Sequence, residues 1–360
     1  VKIAQVAPLF ESVPPKYYGG TERVVSYLTE ELVRQGHEVT LFASGDSQTK
    51  ARLVPICERA LRLDSNSVDQ LAPHLVMLEG VFRTAHRFDI VHFHIDYLHF
   101  PFSRRQNIRH VTTLHGKLTI PELPRLYDEY PGMPVVSISN AQRRPIPDAD
   151  WQATVYHGLP MTPMPVRSRP GGYLAFLGRI SPEKRVDRAI EIARRSGMKL
   201  RVAAKVDRAD KDYFRSEIEP LLKDPLVEYI GEIDEAAKGD FLGNAHALLF
   251  PIDWPEPFGL VMIEAMRCGT PVVAWDCGSV PEVIDEGISG FVVDNLDDAV
   301  RAVKWAGQLD RRRCRAVFET RFSAERMARD YLAVYKKLIL QAQRRGRQES
   351  GDSRRPLSVG

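Results

Sequence analysis

The chain has 360 residues, enough for two α/β domains that each bury a core. Hydrophobic residues make up 44% and charged residues 27%, a balance that excludes a disordered or membrane-embedded chain, and no apolar run reaches the roughly 18 residues of a membrane span. The formal charge of +3 lies in the last twenty residues, where Arg344, Arg345, Arg347, Arg354 and Arg355 oppose Glu349 and Asp352; the remaining body is near neutral and lacks the basic field of a dedicated nucleic-acid protein.

Cys57, Cys268, Cys277 and Cys314 show no C-x-x-C spacing and read as small buried hydrophobes. Lys2 to Ala7 reads as a core strand rather than a leader peptide, which points to a cytoplasmic protein.

Short β-branched runs alternate with helical patterns, the signature of parallel sheets covered by helices. In the first half the pattern predicts strands at 2–7, 38–43, 89–95, 110–114, 134–138 and 153–156. Tyr17-Tyr18-Gly19-Gly20-Thr21-Glu22 follows the first of them. Its glycines allow close approach of a ligand, and Thr21 suits a helix N-cap. His92 and His94 share one face of the third strand, and a metal there would need Asp96 or His99 as a further ligand. Packing or acceptor contact is the reading adopted, with no metal site; His94, Asp96 and Asn140 are assigned to the acceptor side. His115 ends the fourth strand and should face a cleft, whereas Asp148-Ala149-Asp150 lies among prolines and reads as a turn.

Proline and glycine between 161 and 172 mark an interdomain linker, so that 1–160 and 173–322 form the two domains. The second half predicts strands at 173–178, 199–205, 227–230, 246–250, 271–275 and 290–293, a helix over 323–342 that crosses back to the first domain, and a basic disordered tail at 343–360. Two Rossmann-like, doubly wound α/β domains facing across a cleft place the chemistry between them.

The strongest constellation is Pro255-Glu256-Pro257-Phe258-Gly259-Leu260 running on to Glu264, read as strand, tight loop and helix. A helix starting near Phe258 aims unpaired N–H groups at the cleft, a seat for a diphosphate or sugar oxygens. Glu256 stands at its mouth. Glu264 interrupts an apolar helix face and suits a vicinal diol, since two hydroxyls can donate to one carboxylate. The plainer reading makes Glu256 a favourable helix-start acid and Glu264 solvated or ion-paired. Gly178-Arg179 with Lys184 forms a second element, in which a guanidinium fork and a point charge converge on phosphate; its plainer reading is a solvated basic helix start.

These residues together resemble the retaining family 4 glycosyltransferases of the GT-B fold over nearly the whole chain except its tail. Glu256-x7-Glu264 around Pro257-Phe258-Gly259 is similar to that family's central motif. Gly178-Arg179 with Lys184, Gly19-Gly20 with Gly36-His37-Glu38-Val39, Leu114-His115-Gly116, and Gly278-Ser279-Val280-Pro281-Glu282-Val283 support the match. The resemblance implies that Glu256 contacts the donor sugar, Glu264 the ribose, and Arg179 and Lys184 the diphosphate. It further implies that Gly20 closes over the diphosphate, that His115 sits beside the transferred sugar, and that backbone N–H groups from Phe258 through Gly259 to Leu260 complete the pocket. The family's breadth favours a UDP-linked hexose, transferred with retained configuration to a hydroxyl acceptor, with no metal or other cofactor. Ala203-Ala204-Lys205-Val206-Asp207 stands where relatives often carry a Gly-rich turn next to the base.

A sugar-nucleotide epimerase and a non-catalytic nucleotide-sugar-binding module are the competing readings. Arg104, Arg105 and Arg109, with the basic tail, leave room for weak attachment to the inner membrane surface.

Overall fold

Strands rich in valine, isoleucine and leucine can be buried on both faces only if helices cover both, which is what a parallel sheet with crossover helices provides. The computed structural model describes residues 1–106, 108–161, 166–167, 169 and 171–352 and contains two such sheets. The first holds β1 (Lys2–Val6), β2 (Glu38–Ala43), β3 (Arg52–Pro55), β4 (Ile90–Phe93), β5 (His110–Thr113), β6 (Val135–Ser137) and β7 (Trp151–Thr154), in the spatial order β3-β2-β1-β4-β5-β6-β7. The second holds β8 (Tyr173–Arg179), β9 (Lys199–Lys205), β10 (Val227–Gly231), β11 (Ala247–Phe250), β12 (Val272–Trp275) and β13 (Gly290–Val293), in the order β10-β9-β8-β11-β12-β13. All pairings are parallel. The order reverses between β1 and β4 and between β8 and β11, so each sheet opens a crevice at its carboxyl edge at that point.

Two features of the first domain differ from expectation. β3 was not anticipated, because it is a four-residue edge strand with no buried residue that ends on Pro55, too short and too exposed to show a period of two. Thr21 is not the N-cap: Gly19 holds that position for α1 (Gly20–Arg34), which buries Val24, Val25, Leu28 and Leu32 against the sheet.

In the second domain, α2 (Val186–Ser196), α3 (Glu235–Gly243), α4 (Leu260–Arg267), α5 (Leu296–Ala306) and α6 (Arg311–Arg321) surround the sheet. The last helix, α7 (Ala324–Asp352), returns to the first domain. Its Met327, Ala328, Tyr331, Val334 and Tyr335 join one apolar cluster with Ile3, Leu28, Val39, Ile90 and Val136. The helix runs ten residues beyond the expected boundary at 342, which corrects the reading of 343–352 as disordered. Extending a helix already anchored by packing needs no new nucleus, and arginine and glutamine are good helix formers. Arg354 and Arg355 lie outside the described residues, as do 162–165, 168 and 170 of the expected linker.

The chain crosses between domains twice at one place. Leu159 N–H donates to Phe322 C=O at 2.9 Å, and Ala324 N–H donates to Leu159 C=O at 2.8 Å. The backbones come so close that a Cβ on Gly158 would sit 2.3 Å from the Ser323 carbonyl oxygen. Gly158→Ala should therefore lower the unfolding free energy by about 1–3 kcal/mol, the usual cost of overpacking. Urea denaturation at equilibrium checks this, and an unchanged midpoint would contradict the tight crossing.

Candidate functional site: a cleft between the two sheets

The loops that leave the carboxyl ends of β1, β4, β5, β8, β9, β10 and β11 converge on one cavity of about 840 Å³, lined by both domains. Of the residues singled out in the sequence, Gly20, His94, Asp96, His115, Arg179, Lys184, Glu256, Phe258, Gly259, Leu260 and Glu264 line it. Asn140 does not, which corrects its placement on the acceptor side. Its backbone N–H and that of Ala141 donate to the Glu282 carboxylate at 2.7 and 2.6 Å, and Thr154 donates to its amide oxygen at 2.8 Å. The short helix after β6 thus meets the second domain instead of the cleft.

The β11 loop is held on three sides. Asp253 N–H donates to Glu183 C=O at 2.8 Å, Ser279 N–H to Glu256 C=O at 3.0 Å, and the Ser279 hydroxyl to Phe258 C=O at 2.8 Å. Gly278, at φ +60°, passes so close that a Cβ there would lie 2.4 Å from the Glu256 backbone. Gly259 caps α4 at φ 80°, so the helix starts at Leu260 rather than Phe258. A left-handed residue with a side chain would also strike Met262 and Phe250, at 2.8 and 3.1 Å. Gly20 faces this helix start from the other domain, its virtual Cβ 3.7 Å from Leu260 Cδ1.

Inside that frame Lys184 Nζ meets Glu256 Oε2 in an ion pair whose side chains are only 16% and 12% exposed. Trp254 Nε1–H donates to the same oxygen at 3.0 Å. Arg179 is shared by Glu183 at 2.7 Å and Asp207 at 3.2 Å, so its guanidinium is paired with acids rather than simply solvated. Burial raises the Asp207 carboxyl, but hydrogen bonds from Lys205 and Arg179 outweigh it and hold the group below its ordinary value.

Glu264, in contrast, is buried and already ion-paired: Lys238 Nζ reaches its Oε1 at 2.9 Å. Lys238 also pairs with Glu235 at 3.0 Å, and Glu235 pairs across the cleft with Arg23 of α1 at 3.0 Å. The plainer sequence reading of Glu264 thus describes one of its oxygens. Among the described residues the other, Oε2, accepts no hydrogen bond from a protein group.

The first-domain wall is a chain of neutral polar groups. His92 is not a ligand in waiting: its two ring nitrogens meet Tyr335 Oη and Thr113 Oγ1, each at 2.7 Å. His94 bridges Gln5 Oε1 at 2.7 Å and His115 Nε2 at 2.9 Å. With that orientation of Gln5, His94 donates from Nε2 and accepts at Nδ1, so His115 carries its proton on Nε2. Desolvation pushes the half-buried His115 down to about 3 and the half-buried Asp96 up to about 6. Asp96 has φ 49°, a left-handed backbone, and its carboxyl accepts from the backbone N–H of His115. His157 completes the wall, stacked on His115 with ring centroids 5.4 Å apart.

Lys238, Glu235, Trp254, Gln5 and His157 went unremarked in the sequence. Glu235-x-x-Lys238 carries a visible helical ion-pair spacing, and Trp254 sits two residues before Glu256. Gln5 and His157 carry no signal of their own. Asp148-Ala149-Asp150 does form the turn before β7.

Two parallel α/β domains with their strand ends turned to a shared cleft define the GT-B class of fold. Residues 18–151 match the description Glycosyltransferase Family 4, and residues 168–317 match Glycosyl transferases group 1. The chain belongs to the family 4 glycosyltransferases.

Over 97 residues it is 34% identical to the phosphatidyl-myo-inositol mannosyltransferase of Mycobacterium leprae, covering 27% of this chain and 25% of that one. The matched stretches span less than half the length of the first curated relatives. A glycosyltransferase of avilamycin A biosynthesis superposes with a TM-score of 0.72 at 23% identity, over 94% of this chain and 98% of that one. Anabaena HepE in complex with UDP and glucose does so with 0.71 at 18% identity, over 93% and 99%. At these identities the likeness is one of fold. Among the described residues, no helix is long and apolar enough to cross a membrane.

His92, His94, His99, His110 and His157 are buried, His115 is partly buried on the cleft wall, and desolvation holds all six below the ordinary imidazole value. Each binds a proton more readily unfolded than folded, so the stability they leave intact above pH ~6.5 is lost as pH falls toward the folded values. Asp96 acts in the opposite sense up to about 6, as do Glu11, Glu22 and Asp210, whose carboxyls burial raises, while His37 and His74, also lowered, add to the loss. The thermal midpoint should fall steadily between pH 6.5 and 4; a flat profile would show that these rings are not neutral in the fold.

Proposed function

We propose that the chain is a retaining, metal-independent glycosyltransferase that moves a hexose from a nucleotide diphosphate sugar, UDP-hexose by preference, to a hydroxyl acceptor. The observation that carries the reading is the convergence of Lys184, Arg179 and the start of α4 around Glu256, with Gly20 facing them from the other domain.

A departing nucleoside diphosphate develops negative charge as the C1–O bond breaks. Two fixed cations and the unpaired N–H groups of a helix start stabilise such charge without reorganising at the moment of reaction. Arg179 exchanges its acids for phosphate oxygens at small cost, because both partners are themselves charged. Glu256 Oε1, which receives no donor among the described residues, accepts sugar hydroxyls. The free Oε2 of Glu264 accepts a ribose hydroxyl while Lys238 holds Oε1. His115, neutral, lines the space beside the sugar.

The acceptor oxygen bonds to C1 on the face from which the diphosphate leaves. Its proton passes to the departing phosphate oxygen, giving glycoside and nucleoside diphosphate. Arg179, Lys184 and the N–H groups at the start of α4 together offset the charge that develops on the leaving diphosphate, the role a divalent ion plays elsewhere. Anabaena HepE, which shares the fold, was solved in complex with UDP-glucose, a donor of the kind proposed.

A thermal-shift screen of nucleoside diphosphates and their sugar esters tests the reading, because a ligand that binds only the native state raises its stability by about 2.7 kcal/mol at a hundredfold excess over Kd. UDP and a UDP-hexose should give the largest shifts, and no shift with any nucleotide would sink the assignment. Glu256→Gln should lower kcat roughly 10²-fold, as loss of one preorganised polar contact does. Lys184→Ala should weaken nucleoside diphosphate binding about tenfold or more by calorimetry. Transfer should survive EDTA, and product NMR should show the donor's anomeric configuration.

A further inference from the structure

Trp254 is a half-buried indole on the wall of the cleft. Of the chain's four tryptophans it alone lines the cavity. Its surroundings show what the ring does. Glu256 N–H donates to Trp254 C=O at 2.7 Å, closing a three-residue turn over Pro255 that sets the two side chains side by side. The indole N–H then donates to Glu256 Oε2 at 3.0 Å, while the ring lies 5.0 Å from Lys184 Nζ, in the range of a cation–π contact.

Glu256 Oε2 thereby receives two donors, the ammonium and the indole, and Oε1 receives none from the described residues. A carboxylate held by one flexible lysine could rotate and exchange its oxygens. A second donor from a rigid, planar side chain removes that freedom and keeps Oε1 directed at the ligand. The turn itself is anchored from outside the site, where Asp253 is paired with Arg185 at 2.8 Å and with Arg188 at 3.3 Å.

We propose that Trp254 is the positioning residue of the donor site: its N–H orients Glu256 toward the transferred sugar, and its ring face seats the Lys184 ammonium under the diphosphate. The inference rests on the nucleotide-sugar reading above and separates its two halves, because the N–H serves the sugar and the ring serves the phosphates.

Calorimetric titration of wild type, W254F and W254L with UDP and UDP-glucose, and with GDP and GDP-mannose, tests it. W254F keeps a ring face and loses the N–H. It should bind the free diphosphate within about twofold of wild type and the sugar nucleotide about tenfold more weakly, the loss expected of one hydrogen bond to a charged group. W254L loses both and should weaken the free diphosphate as well. Sugar nucleotide and diphosphate weakened equally in W254F, or neither weakened, would overturn the positioning role while leaving the donor class intact. Wild type that binds none of the four compounds would overturn the donor reading and this inference together.

Discussion

The ion pair between Lys184 and Glu256 is the contact on which the site depends. It joins the loop after β8 to the loop after β11, the two strands between which the second sheet reverses its order. A buried ion pair adds little net stability, since desolvating both charges offsets their attraction, but loss of one partner leaves the other stranded in a medium of low dielectric. The two loops are therefore bound to a common geometry. The contacts from Ser279, Gly278 and Glu183 fix the backbone of the loop that carries Glu256, and Lys184 and Trp254 then orient its carboxylate.

A second constraint sets the distance between the domains. α7 leaves the second domain beside Leu159 and lies on the first sheet, where Tyr331 and Tyr335 hydrogen-bond to Thr113 and His92. The helix that ties the domains together is therefore also the outer support of the histidine wall. Glu282 at one point and the Arg23–Glu235–Lys238–Glu264 chain at another add polar contacts between the halves. Alternating charges in that chain give the Glu264 carboxylate a counter-charge within an apolar stretch. They also connect the carboxylate proposed to hold the ribose with α1 of the other domain.

Much of this was legible because parallel strands and their helices obey short periods. β2, β9 and β13 fall at the predicted residues, and the acids and cations of the donor half were recognisable because each breaks a local pattern. Edge strand β3 has no such period. Thr21 looked like a cap by residue type, yet helix start is decided by where the chain turns, and it turns at Gly19. Asn140 follows a strand end, as His115 does, but it opens a short helix over Asn140–Arg143, and which side such a segment turns toward is not written in its residues.

By itself the sequence determined the two α/β series, the alternation that makes both sheets parallel, and the identity of the charged groups at their strand ends. Those follow from local preference and from the rule that ligands bind where parallel strands end. Only the tertiary structure decided the partners. That Lys184 takes Glu256, that Lys238 takes Glu264, that His92 is spent on two hydroxyls and that Trp254 shares an oxygen with Lys184 are contacts between residues 2 to 243 positions apart. Distance along the chain carries no information about such pairs, because the low dielectric of a packed cleft, rather than sequence proximity, decides which polar groups must find each other.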